Sequence, residues 1–213
     1  MDGKISAGIN ADLALTGASI LTKLLGIVVP QAKALEIVIG VIGDRRNKKH
    51  RDRADKLFQS FGRRLTQLEC KPLESPDIDL FDEIVAKAVS DEDEDKTELY
   101  AALVQYWIEH QSELAPYEVR LLGNAIKGLT VDEIKAFHEY HINKGPYPTK
   151  NIPEQLQEVF WNRVKFLGLL GYIGHFESGL VFHSQPNGCD PSRITKIGRM
   201  LVEIYQLSIT TKS

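Results

Sequence analysis

Apolar residues recur at three- and four-residue intervals along most of this chain, which predicts a mainly helical protein. Leu57, Phe58, Phe61, Leu65 and Leu68 mark one helical face, Ile78, Phe81, Ile84, Val85, Ala88 and Val89 a second, and Leu99, Ala102, Leu103, Tyr106 and Trp107 a third. Between the first two, Lys71, Pro72, Ser75 and Pro76 break the pattern, so residues 70–77 read as a domain boundary. Pro116 opens a helix carrying Val119, Leu122, Ala125 and Ile126, and Gly128 stops it. Thr130 and Glu133 have capping-box spacing for a following helix with Ile134, Phe137 and His141 on one face.

The C-terminal third predicts a winged helix-turn-helix. Pro153 suits the first turn of a helix over residues 154–170, whose stripe is Leu156, Val159, Phe160, Val164 and Leu167. Residues 172–176 and 180–183 alternate as two strands around a turn at Glu177, Ser178 and Gly179. Thr195 caps a closing helix with Ile197, Leu201, Ile204 and Tyr205. The expected fold is therefore mainly α: an N-terminal helical hairpin and helical bundle, then a winged-helix-like unit with one β-hairpin. Its divisions are residues 1–72, 73–112 and 113–213.

The hairpin at residues 13–42 admits two readings. A membrane-spanning helix needs about 18 apolar residues, whereas Lys23, Lys33 and Glu36 interrupt this stretch and Pro30 breaks it. Two amphipathic helices, residues 13–29 and 31–42, fit better, either buried in the protein or laid on a membrane surface. The second reading is prompted by the adjoining run DRRNKKHRDR, in which Arg45, Arg46, Lys48, Lys49, Arg51 and Arg53 face only two aspartates. An apolar segment beside a basic cluster is how a peripheral protein meets an anionic leaflet. These six residues are the candidate membrane or partner site.

Charge then inverts. Residues 74–98 hold eleven acids against Lys87 and Lys96. The run DEDED at residues 91–95 has a structural explanation as acids in a helix first turn, and it lacks the spacing of a calcium loop. It is also placed to face the basic run, within the chain or across subunits.

The overall charge of −3 gives no general push toward nucleic acid. A DNA-reading winged helix would use Gln155, Gln157, Asn162, Arg163 and Lys165 on its third helix, with Arg193, Lys196 and Arg199 as a phosphate patch. Yet residues 152–207 carry five basic groups and five acids, a poor footprint for a duplex. HEYH at residues 138–141 lacks the spacing of a zinc protease helix, and His175, His183 and Cys189 form no recognised ligand set. Cys70 and Cys189 match a reduced interior, and residues 1–12 lack the signature of a secretory signal. No catalytic residue, metal site or cofactor is assigned.

The stretch LFDEIVAKAVSDEDEDKTELYAALVQYWIE resembles the middle of the Abi-alpha family of prokaryotic abortive-infection proteins, in which an apolar helix precedes an acidic turn and a second helix. VKFLGLLGYI and ITKIGRMLVEIY resemble that group's closing pattern, and residues 13–68 stand where it has a glycine-rich apolar segment and a charged helix. The chain departs from the pattern over residues 112–130 and at Lys196, where proline is common. The resemblance implies a non-enzymatic interaction protein of phage defence, cytoplasmic or peripheral at the inner face of a membrane, with a protein partner, a membrane surface or a second copy as its contacts. A DNA-binding regulator is the alternative, and a metal-dependent enzyme built on the histidines a weaker one.

Overall fold

The computed structural model describes residues 48–66, 78–143, 152–171 and 194–210. Among these residues the chain is helical, with no strand and one isolated antiparallel bridge, Leu170 to Ile194. The apolar hairpin at residues 13–42 and the strands expected at residues 172–183 lie outside the described set. No helix among the described residues is long and apolar enough to cross a membrane.

The chain divides into two compact units, Met1–Pro116 and Tyr117–Ser213. The boundary expected near residue 72 falls inside the first unit, whose core is shared by α1 (Lys48–Thr66), α2 (Ile78–Ser90) and α3 (Thr97–Glu109). α1 inserts Ala54, Leu57, Phe58 and Phe61, which share one face. Phe61 stands 6.0 Å from Phe58 and 5.8 Å from Phe81 of α2, ring centre to ring centre. Each such buried aromatic contributes about 1.5–3 kcal/mol relative to exposure.

α3 departs from the single stripe expected of it. Nine of its residues are buried, from Leu99 to Ile108, which makes it the central helix of the unit. Its approach differs too. The acids of DEDED are not in its first turn: Asp93 caps a short 3-10 turn, Glu94–Lys96, by accepting a 3.1 Å hydrogen bond from the Asp95 backbone N–H, and α3 begins only at Thr97.

The second unit comprises α4 (Pro116–Gly128), α5 (Val131–Asn143), α6 (Glu154–Phe166) and α7 (Lys196–Thr210). The capping box forms as the spacing predicts, with the Thr130 N–H donating to Glu133 Oε2 at 2.8 Å and the Glu133 N–H to Thr130 Oγ1 at 3.2 Å. α6 is shorter than expected because Gly168, at φ 71°, takes the left-handed position that ends a helix. The Leu169 N–H then closes back on the Val164 carbonyl at 3.1 Å. α6 buries Phe160, Trp161 and Val164, but Leu156 and Val159, expected on the same stripe, are exposed.

Thr195 caps α7 by accepting from the Gly198 N–H at 3.0 Å and donating to the Gly168 carbonyl at 2.7 Å. This cap draws α7 onto the turn after α6 so closely that a Cβ at position 198 would lie 2.3 Å from the Leu169 carbonyl oxygen and 2.8 Å from Ile194 Cγ2. Gly198→Ala should therefore destabilise the chain by about 1–3 kcal/mol, read as a lowered urea midpoint at unchanged slope. An alanine variant as stable as the parent would show that the α6–α7 turn yields freely.

Candidate interaction site

α1 carries cations along its length, and their partners divide them into two sets. In its C-terminal half, Arg64 is almost fully buried, with a side chain 1% exposed. Position 64 continues the apolar stripe of Leu57 and Phe61, so the helix directs this guanidinium inward. It donates to Glu98 Oε2 at 2.9 Å and to Gln105 Oε1 at 3.1 Å, both on α3. Ser60 donates to the same Glu98 oxygen at 2.8 Å, and Arg63 to Glu98 Oε1 at 2.7 Å. Burial pushes the Glu98 carboxyl up, but hydrogen bonds from Arg64 and Ser60 with the charges of Arg64 and Arg63 outweigh it and hold the group below the ordinary carboxylate range.

The acidic run is tied to the basic helix in the same way. Lys56 pairs with Glu94, and Arg53 reaches the carbonyls of Val89 at 3.5 Å and Glu92 at 3.3 Å, closing the C-terminal end of α2. Asp91 and Lys96 are both buried and lie 3.2 Å apart, while the Tyr100 hydroxyl donates to Asp91 at 2.9 Å. Burial and the Asp91 carboxylate push the Tyr100 phenol well up. Within DEDED, Asp91 and Glu94 thus serve as ion-pair partners. Among the described residues no group of three or more His, Cys, Asp or Glu side chains could hold a metal.

At the other end of α1, Lys49, His50 and Arg53 line an open cavity of about 440 Å³, with Ser90 and Glu92 opposite. Two of the six residues expected to meet a membrane or partner, Lys49 and Arg53, are therefore brought together. Arg53 is in part diverted inward to the two carbonyls. Lys48 and Arg51 belong to α1 with undescribed side chains, and Arg45 and Arg46 lie outside the described residues.

The residues expected to read DNA fare differently. Arg163 is held by both carboxylate oxygens of Glu133 at 2.8 Å, Lys196 by Glu118 at 2.8 Å, and Arg199 donates to the Ile194 carbonyl at 2.9 Å. Gln157 is half-buried and donates to the Ile152 carbonyl at 3.5 Å. Gln155, Asn162 and Lys165 are exposed, and Arg193 lies outside the described set. The outward face of α6 also shows Leu156, Val159 and Phe166, the last 89% exposed. His138 and His141, the described members of the histidine candidates, lie on α5, where His138 packs 4.9 Å from the Tyr205 ring of α7. His175, His183 and Cys189 are outside the described residues.

Sequence reasoning missed Arg64, Ser60 and Glu98. The available signal was an arginine at a core position of an otherwise apolar stripe, which obliges a buried acceptor. It also missed the outward apolar residues of α6, because a stripe shows periodicity and not which side is covered.

These environments set how stability responds to substitution and to pH. Glu98→Ala leaves the Arg64 charge buried with too few acceptors and should cost about 3–5 kcal/mol in chemical denaturation, whereas Lys56→Ala, at an exposed pair, should stay within about 0.5 kcal/mol. In acid the Glu98 contribution is intact above its ordinary value of 4.5 and is lost as pH falls through the lower folded value. For His138 the sign is the same, but the cause is burial and the pH window is higher. Burial holds its imidazole below the ordinary 6.5, against the pull of Glu139 and with the push of His141. The unfolded chain then takes up the proton first, and stability should drop as pH falls below 6.5 until the folded value is reached. His138→Phe should flatten that segment of the curve, and a variant with the parent's slope between pH 7.5 and 5.5, about one unit either side of the ordinary imidazole value, would assign the slope to another group.

No family model, curated protein or solved structure matches the chain, so its functional reading rests on the chemistry of its own residues.

Proposed function

We propose that this chain is a non-enzymatic interaction protein that meets an acidic protein surface through the N-terminal end of α1. The observation that carries the reading is the convergence of Lys49, His50 and Arg53 on one open cavity. The basic run at residues 45–53 puts four further cations beside it in sequence, a density suited to steering an anionic partner. Phage defence is the setting suggested by the resemblance of residues 80–109 to the Abi-alpha group.

The second unit serves the same reading as a winged-helix-like module with a hairpin at residues 172–183. What supports it is the alternation of residues 172–176 and 180–183 about the turn at residues 177–179 in the sequence. Protein contact rather than duplex reading is favoured by Arg163 and Lys196, whose carboxylate partners compete with phosphate. A membrane surface is the second reading, favoured by the apolar stretch at residues 13–42 immediately before the basic run.

Polyglutamate is a simple stand-in for an acidic protein face. The chain should bind it at low ionic strength, lose it as salt rises toward about 0.5 M, and bind at least about tenfold more weakly when Lys49→Glu and His50→Glu are combined. Vesicles containing phosphatidylserine, bound in preference to polyglutamate with the same dependence on Lys49, would move the partner to the membrane. Binding to neither at low salt would refute the reading.

A further inference from the structure

The outward face of α6 is built to pair with itself. At 100° per residue, Gln155, Val159, Asn162 and Phe166 fall on one line pointing away from the buried side of Phe160, Trp161 and Val164. Their spacing of four, three and four is that of a helix seam that packs against another helix. Phe166 is 89% exposed, Val159 49%, and Leu156, on the flank of the line, 52%. Single exposed apolar residues are ordinary on a surface; three along one helix face are a patch.

The flank opposite Leu156 carries Glu158 and Lys165, seven residues or two turns apart. Both are exposed, and among the described residues neither has an ionic partner. This arrangement selects both the occupant and its direction. When two copies of α6 lie antiparallel about a two-fold axis crossing near Phe160 and Trp161, Val159 meets Asn162 of the second copy and Gln155 meets its Phe166. Glu158 then faces Lys165 of the second copy, and the reverse pair forms by symmetry. In a parallel arrangement the two-fold would run along the helices and set Glu158 and Lys165 against the Leu156–Arg163 flank of the second copy, where Arg163 is already held by Glu133 and no carboxylate answers Lys165. A seam whose own sequence supplies both signs in antiparallel register is self-complementary, as an isologous two-fold interface must be.

We propose that this face is a homodimer contact formed by antiparallel α6 helices. A lone helix pair buries less than the roughly 1,000 Å² expected of a stable interface, so the association is reversible and concentration-dependent. Arg163, on the Leu156 flank, is already anchored to Glu133 and stiffens the face without taking part in the exchange of charges.

Sedimentation velocity on the full chain across a concentration series tests it. The parent should pass from monomer to dimer as concentration rises. Phe166→Glu should raise the dissociation constant at least about tenfold with unchanged helical circular dichroism, which separates lost pairing from lost folding. Glu158→Lys should weaken the dimer, and adding Lys165→Glu to it should restore the parent's affinity, because exchanging both signs preserves every opposite-charge pair of the antiparallel register. A chain that stays monomeric at all concentrations would overturn the proposal and leave the face to a different protein. A dimer indifferent to Phe166→Glu, or one weakened by Glu158→Lys and not recovered by the second exchange, would overturn it as well.

Discussion

A guanidinium removed from water must be answered by acceptors at fixed positions, and in the first unit that requirement falls on Arg64. Its two partners on α3, Glu98 and Gln105, stand seven residues apart, so one side chain spans two turns of the central helix and fixes α1 in both rotation and height. Apolar packing of Phe58 and Phe61 would tolerate a slide along α3 at modest cost; a buried charge would not. With that register set, Lys56 is brought to Glu94 and Arg53 to the Val89 carbonyl of α2 and the Glu92 carbonyl just beyond its end. The basic and acidic stretches are therefore paired within one unit, and the N-terminal end of α1 places Lys49 and His50 on the open cavity.

Helix positions were legible in the sequence wherever a local signal and a periodic one agreed. Pro116 and Gly128 bracket α4, and the Thr130–Glu133 box opens α5, because caps depend on residues three apart and on nothing distant. Helix ends set by backbone conformation were less legible. α6 stops at Phe166 because Gly168 is left-handed, although Leu167, Leu169 and Leu170 continue an apolar pattern beyond it. The sidedness of helices was hardest to read, since burial depends on neighbours that no spacing names. α3 is covered almost all round where one stripe was expected, and α6 exposes part of the stripe expected to be core.

The candidate site shows the same limit in electrostatic form. A count of charges over the C-terminal segment weakens a duplex-binding reading, yet it treats every cation as equivalent. The structure distinguishes them by what they touch: Arg163 and Lys196 each face a carboxylate of their own unit, with Glu133 and Glu118 only 12% and 7% exposed. A phosphate would have to displace a partner already desolvated and geometrically satisfied, which removes most of the gain in Coulomb energy. The sum of charges is a property of composition, whereas binding depends on cations whose partners are solvent or another molecule.

Apolar surface is subject to the same distinction. Phe166 and Val159 lie on the side of α6 opposite Trp161, so no rotation of the helix could bury both sets within its own unit. An outward phenylalanine forgoes the transfer free energy that burial would supply and exposes the chain to nonspecific association. Nearby charge of both signs limits the second hazard, because a surface that repels most orientations and favours one admits a specific partner while excluding stacking. Glu158 and Lys165 supply that bias on the same helix. In the first unit, then, charge sets register internally, through Arg64 and Glu98, and the α6 pairing proposed above would use Glu158 and Lys165 in the same way.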